Sequence, residues 1–557
     1  MNLRHLVLTC AGVYAFAACS DTAGPNNNLP SCGASATHLS LAVAAYALTN
    51  TTTDSGCVSF PANGSSDTAE YLVLPWSAGG TLGATAPFAL QSENPTVASA
   101  PFGSPSFARM PLSRPRSARS PVANHFDRFL RDLARTRTYP VLPRLDRSPG
   151  ANSTSMAAAP PVVGNERTFK VCAVQDCTKF DTVGAVARTV GAHVAIYVDT
   201  LAPSPGISQT SLDSVASLFD AHLYPLDTAT FGGVLDIDNN SVVIVLMTNT
   251  VNKLIKKADC SQGFIAGFFF SGDIDPTFAP QYNNGEIFYS IVADSTGTLS
   301  CAHKVSDVEY FLPVTFVHEF QHMINFVQKV RVRGGNSEDT WLDEGLARYA
   351  EENAGRNLDS LGDTTAFSQF AIDPVFDAYL YMSDPANSPL LIAQDTGGVA
   401  PLGAGWLFVR YIVDQFGAAI PHTLVGTTLT GQANVAAATG QSFDVTVSRW
   451  GFANWVDSLP GFTTPIELQY KSWNFRRTFA SLHSQDAQDF PLAYPLVPTV
   501  ARASTVNVSG TLKAGSGDYV RVLQPPNTAA FTLHLASPNG SLLSASVVPH
   551  LNVLRIR

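Results

Sequence analysis

The stretch TFVHEFQHMINF, Thr315 to Phe326, fits one kind of element only. Phe316, Phe320, Met323 and Val327 recur at helical spacing and make an apolar stripe. A helix advances about 100° per residue, so His318 and His322 lie one above the other on another face, with Glu319 beside the first. A strand would scatter the same residues to both sides of a sheet. The helix must bury its stripe and also give two imidazoles and a carboxylate something to hold, because such groups are costly to bury alone. A surface face laced with salt links is the bland alternative. The functional reading is that His318 and His322 present two nitrogens to one metal ion, with Glu319 in reach of a water beside it.

At 557 residues the chain has room for several domains and a large core. Its formal net charge of −10 and 14% charged residues suit an exported globular protein and argue against a general nucleic-acid binder. Residues 1–18 combine Arg4 and His5 with the apolar run LVLTCAGVYAFAAC, the layout of a secretory signal. FAAC also resembles a bacterial lipobox, which implies cleavage before Cys19 and lipidation of its thiol; an ordinary cut near Ala18 is the alternative. No later segment holds about 20 uninterrupted apolar residues, so a membrane would be met through Cys19 alone. The expected location is the bacterial cell envelope, lipid-anchored at the outer membrane, or the extracellular space.

Six further cysteines remain: Cys32, Cys57, Cys172, Cys177, Cys260 and Cys301. In an exported chain they read as three disulfides, with about 15 pairings formally open. Sequential pairing, 32–57, 172–177 and 260–301, keeps each bridge inside one expected unit. None has the CxxC spacing of a structural zinc site.

The expected units run as follows. A polar, breaker-rich tether covers 19–37, and short strands with turn signals over 38–105 read as a small β-sandwich or pro-domain. Residues 106–163 hold ten arginines between Arg109 and Arg147 and no lysine there, which reads as a solvated linker with one amphipathic helix, or as a cleavable pro-segment. Residues 164–495 form the main domain, with buried strands AHVAIYVDT and SVVIVLMTN around a helical stretch and helices after Ser306. Alternating strands over 496–557 read as a separate C-terminal β domain. The fold class expected is α+β. Asp236, Asp238, Asn239 and Asn240 resemble the opening of a calcium loop but lack the Gly and distal Glu of an EF-hand, so a turn is the preferred reading and a structural Ca2+ the minor one.

A third metal ligand has a candidate in TWLDEGLARYAEE, where Thr340 can cap a helix with Asp343 three residues on. Glu344 lies in the first turn, 22 residues after His322, and Gly345 would allow close approach of the two helices, this one and that of the histidines. HExxH followed by W-L-x-E-G-[LM]-A resembles the gluzincin metallopeptidases. The metzincin pattern fails at Asn325 and Gln328. With FGGVLDIDNN and CSQGFIAGFFF upstream, the segment from Glu166 to Gly417 looks most like the hyicolysin family of secreted neutral proteases. The resemblance implies a thermolysin-like two-lobed domain hydrolysing protein or peptide substrates. It implies one Zn2+ on His318, His322 and Glu344, with Glu319 as general base. Arg348 departs from the pattern, because thermolysin-like enzymes carry there an Asp bonded to the first histidine. Asp343, Glu351 or a backbone oxygen must then support His318. Tyr379 and Tyr381 are candidates for stabilising the oxyanion, with core packing as their alternative role. The rival readings are a non-catalytic surface binding protein, which should lack a ligand or the base, and a zinc aminopeptidase, which should carry a GxMEN-type segment.

Overall fold

The computed structural model describes residues 29–53, 55–93, 121–137, 160–278, 281–393 and 398–557. The signal sequence, Cys19, and the arginines at 109, 114, 116, 119, 144 and 147 lie outside them.

The chain opens with β1 (Thr37–His38), β2 (Tyr46–Asn50), β3 (Cys57–Phe60), β4 (Ala69–Ser77) and β5 (Thr85–Ser92). Helix α1 (Pro121–Thr136) follows, then β6 (Glu166–Cys172), β7 (Phe180–Val190) and β8 (Val194–Asp199). Helices α2 (Gln209–Leu218) and α3 (Tyr224–Phe231) are joined through a π-type turn and lead to β9 (Val243–Met247), α4 (Asn249–Lys253), β10 (Gly267–Phe269) and β11 (Ile287–Ser290). The helical part contains α5 (Val305–Phe326), α6 (Thr340–Ser360), α7 (Thr364–Ser383), α8 (Ala400–Phe416), α9 (Ile420–Val425), α10 (Gly431–Thr439), α11 (Phe443–Val456) and α12 (Phe475–Gln485). Strands β12 (Thr499–Arg502), β13 (Asn507–Lys513), β14 (Val520–Gln524), β15 (Phe531–Ala536) and β16 (Pro549–Arg555) end it.

The six-stranded sheet runs β10-β11-β9-β8-β7-β6. Its centre, β8-β9-β11, is parallel and β10 lies antiparallel on the edge. The all-apolar β9, VIVLM, is buried throughout, as a strand covered on both faces must be. Helix α5 packs on this sheet: Phe316 meets Phe219 and Phe288, and Phe320 meets Phe219 and Tyr224. Burying each such ring contributes about 2–3 kcal/mol. The helix is not two-faced, since Leu312 to Phe326 are all buried. Its polar residues therefore stand in the interior, where His318, His322 and Asn325 find partners on α6 and Glu319 finds one on β10.

The two chain ends do not form two β domains. One sheet has the order β1-β3-β15-β5-β13 and the other β12-β14-β4-β16-β2, so strands from before and after the main domain alternate in a single sandwich. Val58, Phe60, Phe88, Val520, Leu533 and Leu551 fill the space between the sheets. Each terminal segment alone would leave half of that apolar surface uncovered. The sandwich packs on the helical part through Trp76, which meets Trp450 edge-on.

Helix α1 is likewise no solvated linker. Phe126, Leu130 and Ala134 are buried, Phe126 stands edge-on against Phe268, and Arg131 is 3% exposed. An amphipathic pattern specifies a buried face but not what covers it; here β10 and α6 do.

Gly345 serves a different close approach from the one expected beside the histidine helix. A Cβ there would lie 2.8 Å from Gly405 O, so the pair Gly345 and Gly405 lets α6 press onto α8. Thr340 does not cap α6 either. Asp339 occupies the cap position without a side-chain cap bond, and its carboxylate pairs with Arg135 at 3.1 Å.

The three disulfides are Cys32–Cys57, Cys172–Cys177 and Cys260–Cys301. No described helix is long and apolar enough to cross a membrane.

Candidate metal centre

Helices α5 and α6 face each other in the interior, α5 supplying His318, Glu319 and His322, and α6 supplying Asp343, Glu344, Arg348 and Glu351. His318 Nε2 and His322 Nε2 are 3.0 Å apart. Glu344 Oε2 lies 3.6 Å from the first, and Glu344 Oε1 lies 3.5 Å from the second. Ligands held tetrahedrally at 2.0–2.1 Å from zinc are separated by about 3.3–3.4 Å, so two nitrogens and a carboxylate at these spacings fit that ion. The donor set is also the right chemistry for it.

Each imidazole is held from behind. His318 Nδ1 sits 2.8 Å from Glu351 Oε1, and His322 Nδ1 sits 3.0 Å from Asp343 Oδ2. A proton on each Nδ1, donated to a carboxylate, fixes the tautomer whose Nε2 lone pair faces the centre. Glu351 is fixed in turn by Arg348, which donates to Glu351 Oε2 at 3.1 Å and also bonds Asp377. Arg348 itself offers no carboxylate to His318; Glu351, three residues on, does, and the arginine braces it. Asp343, one residue from Glu344, does not face away. Asn325 donates to its Oδ1, and Arg131 Nη1 approaches its Oδ2 to 3.7 Å.

Burial, reinforced by the Arg131 charge, pushes His322 below the usual imidazole range, against the pull of Asp343 and Glu344. That favours the neutral, ligand-competent ring. Burial pushes Asp343 upward, but His322 and Arg131 outweigh it and hold the carboxyl below its usual range.

Glu319 stands apart from the ligands. Its Oε2 accepts the backbone N–H of Phe269 on the edge strand β10 at 3.0 Å, and it lines a cavity of about 940 Å³. Arg131 ties the same strand to α6 by donating to Phe269 O at 3.4 Å. Gly267, the bridged pair Cys260 and Cys301, Asp307 and Asp486 also line the cavity. Among the described residues no Lys or Arg does.

Tyr379 and Tyr381 do not reach this centre. Tyr379 is 2% exposed, packs on Phe479 and Phe490 and bonds Leu492, while Tyr381 is fully buried and stacked on Trp450. Both are core residues, so the oxyanion role proposed for them falls. Sequence reading missed the roles of Arg131 and Asp377, which carry no spacing signal because they arrive from α1 and α7, and that of Asn325, which sits on α5 itself but meets Asp343 only through the packing of α6. The turn at Asp236 is present: its carboxylate accepts the N–H groups of Asn240 and Ser241.

No protein-family model matches the chain. It is similar to the "Neutral metalloprotease ShpI" of Staphylococcus hyicus, 27% identical over 212 residues. The relationship is to a metalloprotease. The match takes in 38% of this chain and 43% of the relative, so the chain spans less than half the length of the protein it matches.

Proposed function

We propose that the protein is an exported zinc endopeptidase of gluzincin type, most like the hyicolysin family, with a thermolysin-like catalytic domain. The triangle of 3.0, 3.5 and 3.6 Å among His318, His322 and Glu344 carries this reading. Those three residues would hold the ion. A bound zinc supplies Lewis acidity and brings the proton loss of water to about pH 7. Glu319 is the general base: Phe269 N–H steadies one carboxylate oxygen, and the other takes the proton and returns it to the leaving amine. The cavity beside it, which Gly267 of the edge strand β10 lines, gives a peptide chain access to Glu319. Its carboxylates, Asp307 and Asp486 among them, favour peptides carrying Lys or Arg side chains. All four motif residues are in place, which speaks against an inactive binding protein.

Three disulfides suit an oxidising compartment. Lipid anchoring at Cys19 belongs to the same proposal; unchanged membrane partition of Cys19→Ser would reject it.

Metal analysis paired with hydrolysis of an unfolded protein tests the whole reading. Glu319→Gln should keep its zinc and lose about 10²–10⁴-fold in turnover. His322→Ala and Glu344→Ala should lose the metal. Undiminished hydrolysis by Glu319→Gln, or full zinc binding by Glu344→Ala, sinks the proposal.

A further inference from the structure

We propose that Asp236, Asp238 and Glu286 form a calcium site that clamps the turn after α3 to the start of β11. One carboxylate oxygen from each residue lies within 4.8 Å of the others. Asp236 and Asp238 come from one turn, curled by left-handed backbone at Asn239 (φ +56°) and Ser241 (φ +64°). Glu286 arrives from 48 residues further on, immediately before β11. The distal glutamate that the calcium-loop pattern lacks in sequence is therefore supplied by the sheet.

The second observation is the state of the carboxylate oxygens. Glu286 is 2% exposed; its Oε1 accepts the N–H of Ile237 at 2.8 Å, but its Oε2 is buried with no hydrogen-bond donor among the described residues. Asp238 Oδ1 is buried in the same condition. The two donors that reach Asp238, Asn240 Nδ2 at 2.9 Å and Arg167 Nη1 at 3.4 Å, both address its other oxygen. Buried carboxylate oxygens without a donor are costly, and a cation shared by all three groups removes that cost. Gly285 makes the approach possible, since a Cβ there would stand 2.9 Å from Asp238 Oδ2.

The chemistry selects the ion. All three donors are hard oxygens, with no imidazole or thiolate to favour zinc. Calcium takes about 6–8 oxygens at 2.3–2.6 Å in irregular geometry, filling open positions with water and carbonyls, whereas magnesium demands a compact octahedron and sheds water reluctantly. Asp236 is exposed, so the ion has an entry from solvent. The bound ion would fix Glu286 two residues before Phe288, whose ladder partner Phe269 holds Glu319. It would thus stabilise the sheet edge against which the catalytic carboxylate rests, whether or not the peptidase reading is right.

The test uses full-length protein stripped of calcium on a chelating resin, with its zinc restored. Thermal unfolding is followed during CaCl2 titration, and Tb3+ luminescence, sensitised by neighbouring tyrosines, reports the number of ions. The expected result is a saturable rise in Tm, one Tb3+ per chain displaced by calcium, and a much smaller effect of MgCl2. Glu286→Gln and Asp238→Asn should abolish the rise; Asp236→Asn, a change at an exposed side chain, with folding checked by Tm without calcium, should weaken calcium binding at least about 10-fold. A parent protein whose Tm ignores calcium, or an Asp236→Asn variant that binds it as the parent does, overturns the proposal.

Discussion

Glu351 Oε1 lies 2.8 Å from His318 Nδ1, three residues beyond the position where thermolysin-like enzymes carry an aspartate. Arg348 occupies that position and holds Glu351 by its second oxygen. Glu351 thus gives the imidazole the carboxylate that Arg348 cannot, and Arg348 fixes that carboxylate in place.

From this geometry the two supporting carboxylates should have separable effects. Asp343→Ala frees the ring of His322, and Glu351→Ala frees that of His318 while leaving Arg348 buried beside a lost partner. Each should weaken zinc binding by about 10–100-fold. The Glu351 variant should also lose stability, by about 3–5 kcal/mol, since it breaks a buried pair. Competition with a chromogenic chelator and urea unfolding measure the two quantities. Parent-like zinc affinity in both variants would mean that the imidazoles need no such support.

The contact of α6 with α8 makes a second prediction. Gly345→Ala would place a Cβ 2.8 Å from Gly405 O, with Val409 Cγ2 at 3.0 Å. Backbone cannot yield there as a flexible side chain would, so the variant should be destabilised by about 1–3 kcal/mol. Glu344 is the neighbouring residue, so zinc affinity should fall with it. A change in neither Tm nor metal content would show that the helices separate freely.

A third prediction concerns processing. A cut within the Arg-rich region, between Arg109 and residue 120, would separate β1 to β5 covalently from the rest. Those strands make up five of the ten in the sandwich, β15 standing between β3 and β5 and β4 between β14 and β16. The fragments should therefore stay together and co-elute on size exclusion under native conditions. Loss of the N-terminal fragment with retained folding of the remainder would restore the idea of a removable pro-domain.

The helix of His318, Glu319 and His322 was legible because helical periodicity is written in residues a few positions apart. Glu344 was legible through the resemblance of its WLDEGLA motif, and the disulfides because each joins cysteines that are consecutive in the sequence. Helix α1 was visible as a pattern, but its burial was not, since periodicity says nothing about the covering surface. Tertiary structure alone decided that Glu351 and Asp343 back the two imidazoles. Both lie within reach along α6, and the choice depends on how α5 is rotated against it. It alone brought Glu286 to Asp236 and Asp238, and paired β4 with β16 across more than four hundred residues. Strand partners and buried charge networks are set by non-local packing of surfaces that no local window contains. Those same non-local contacts hold the candidate metal ligands in place.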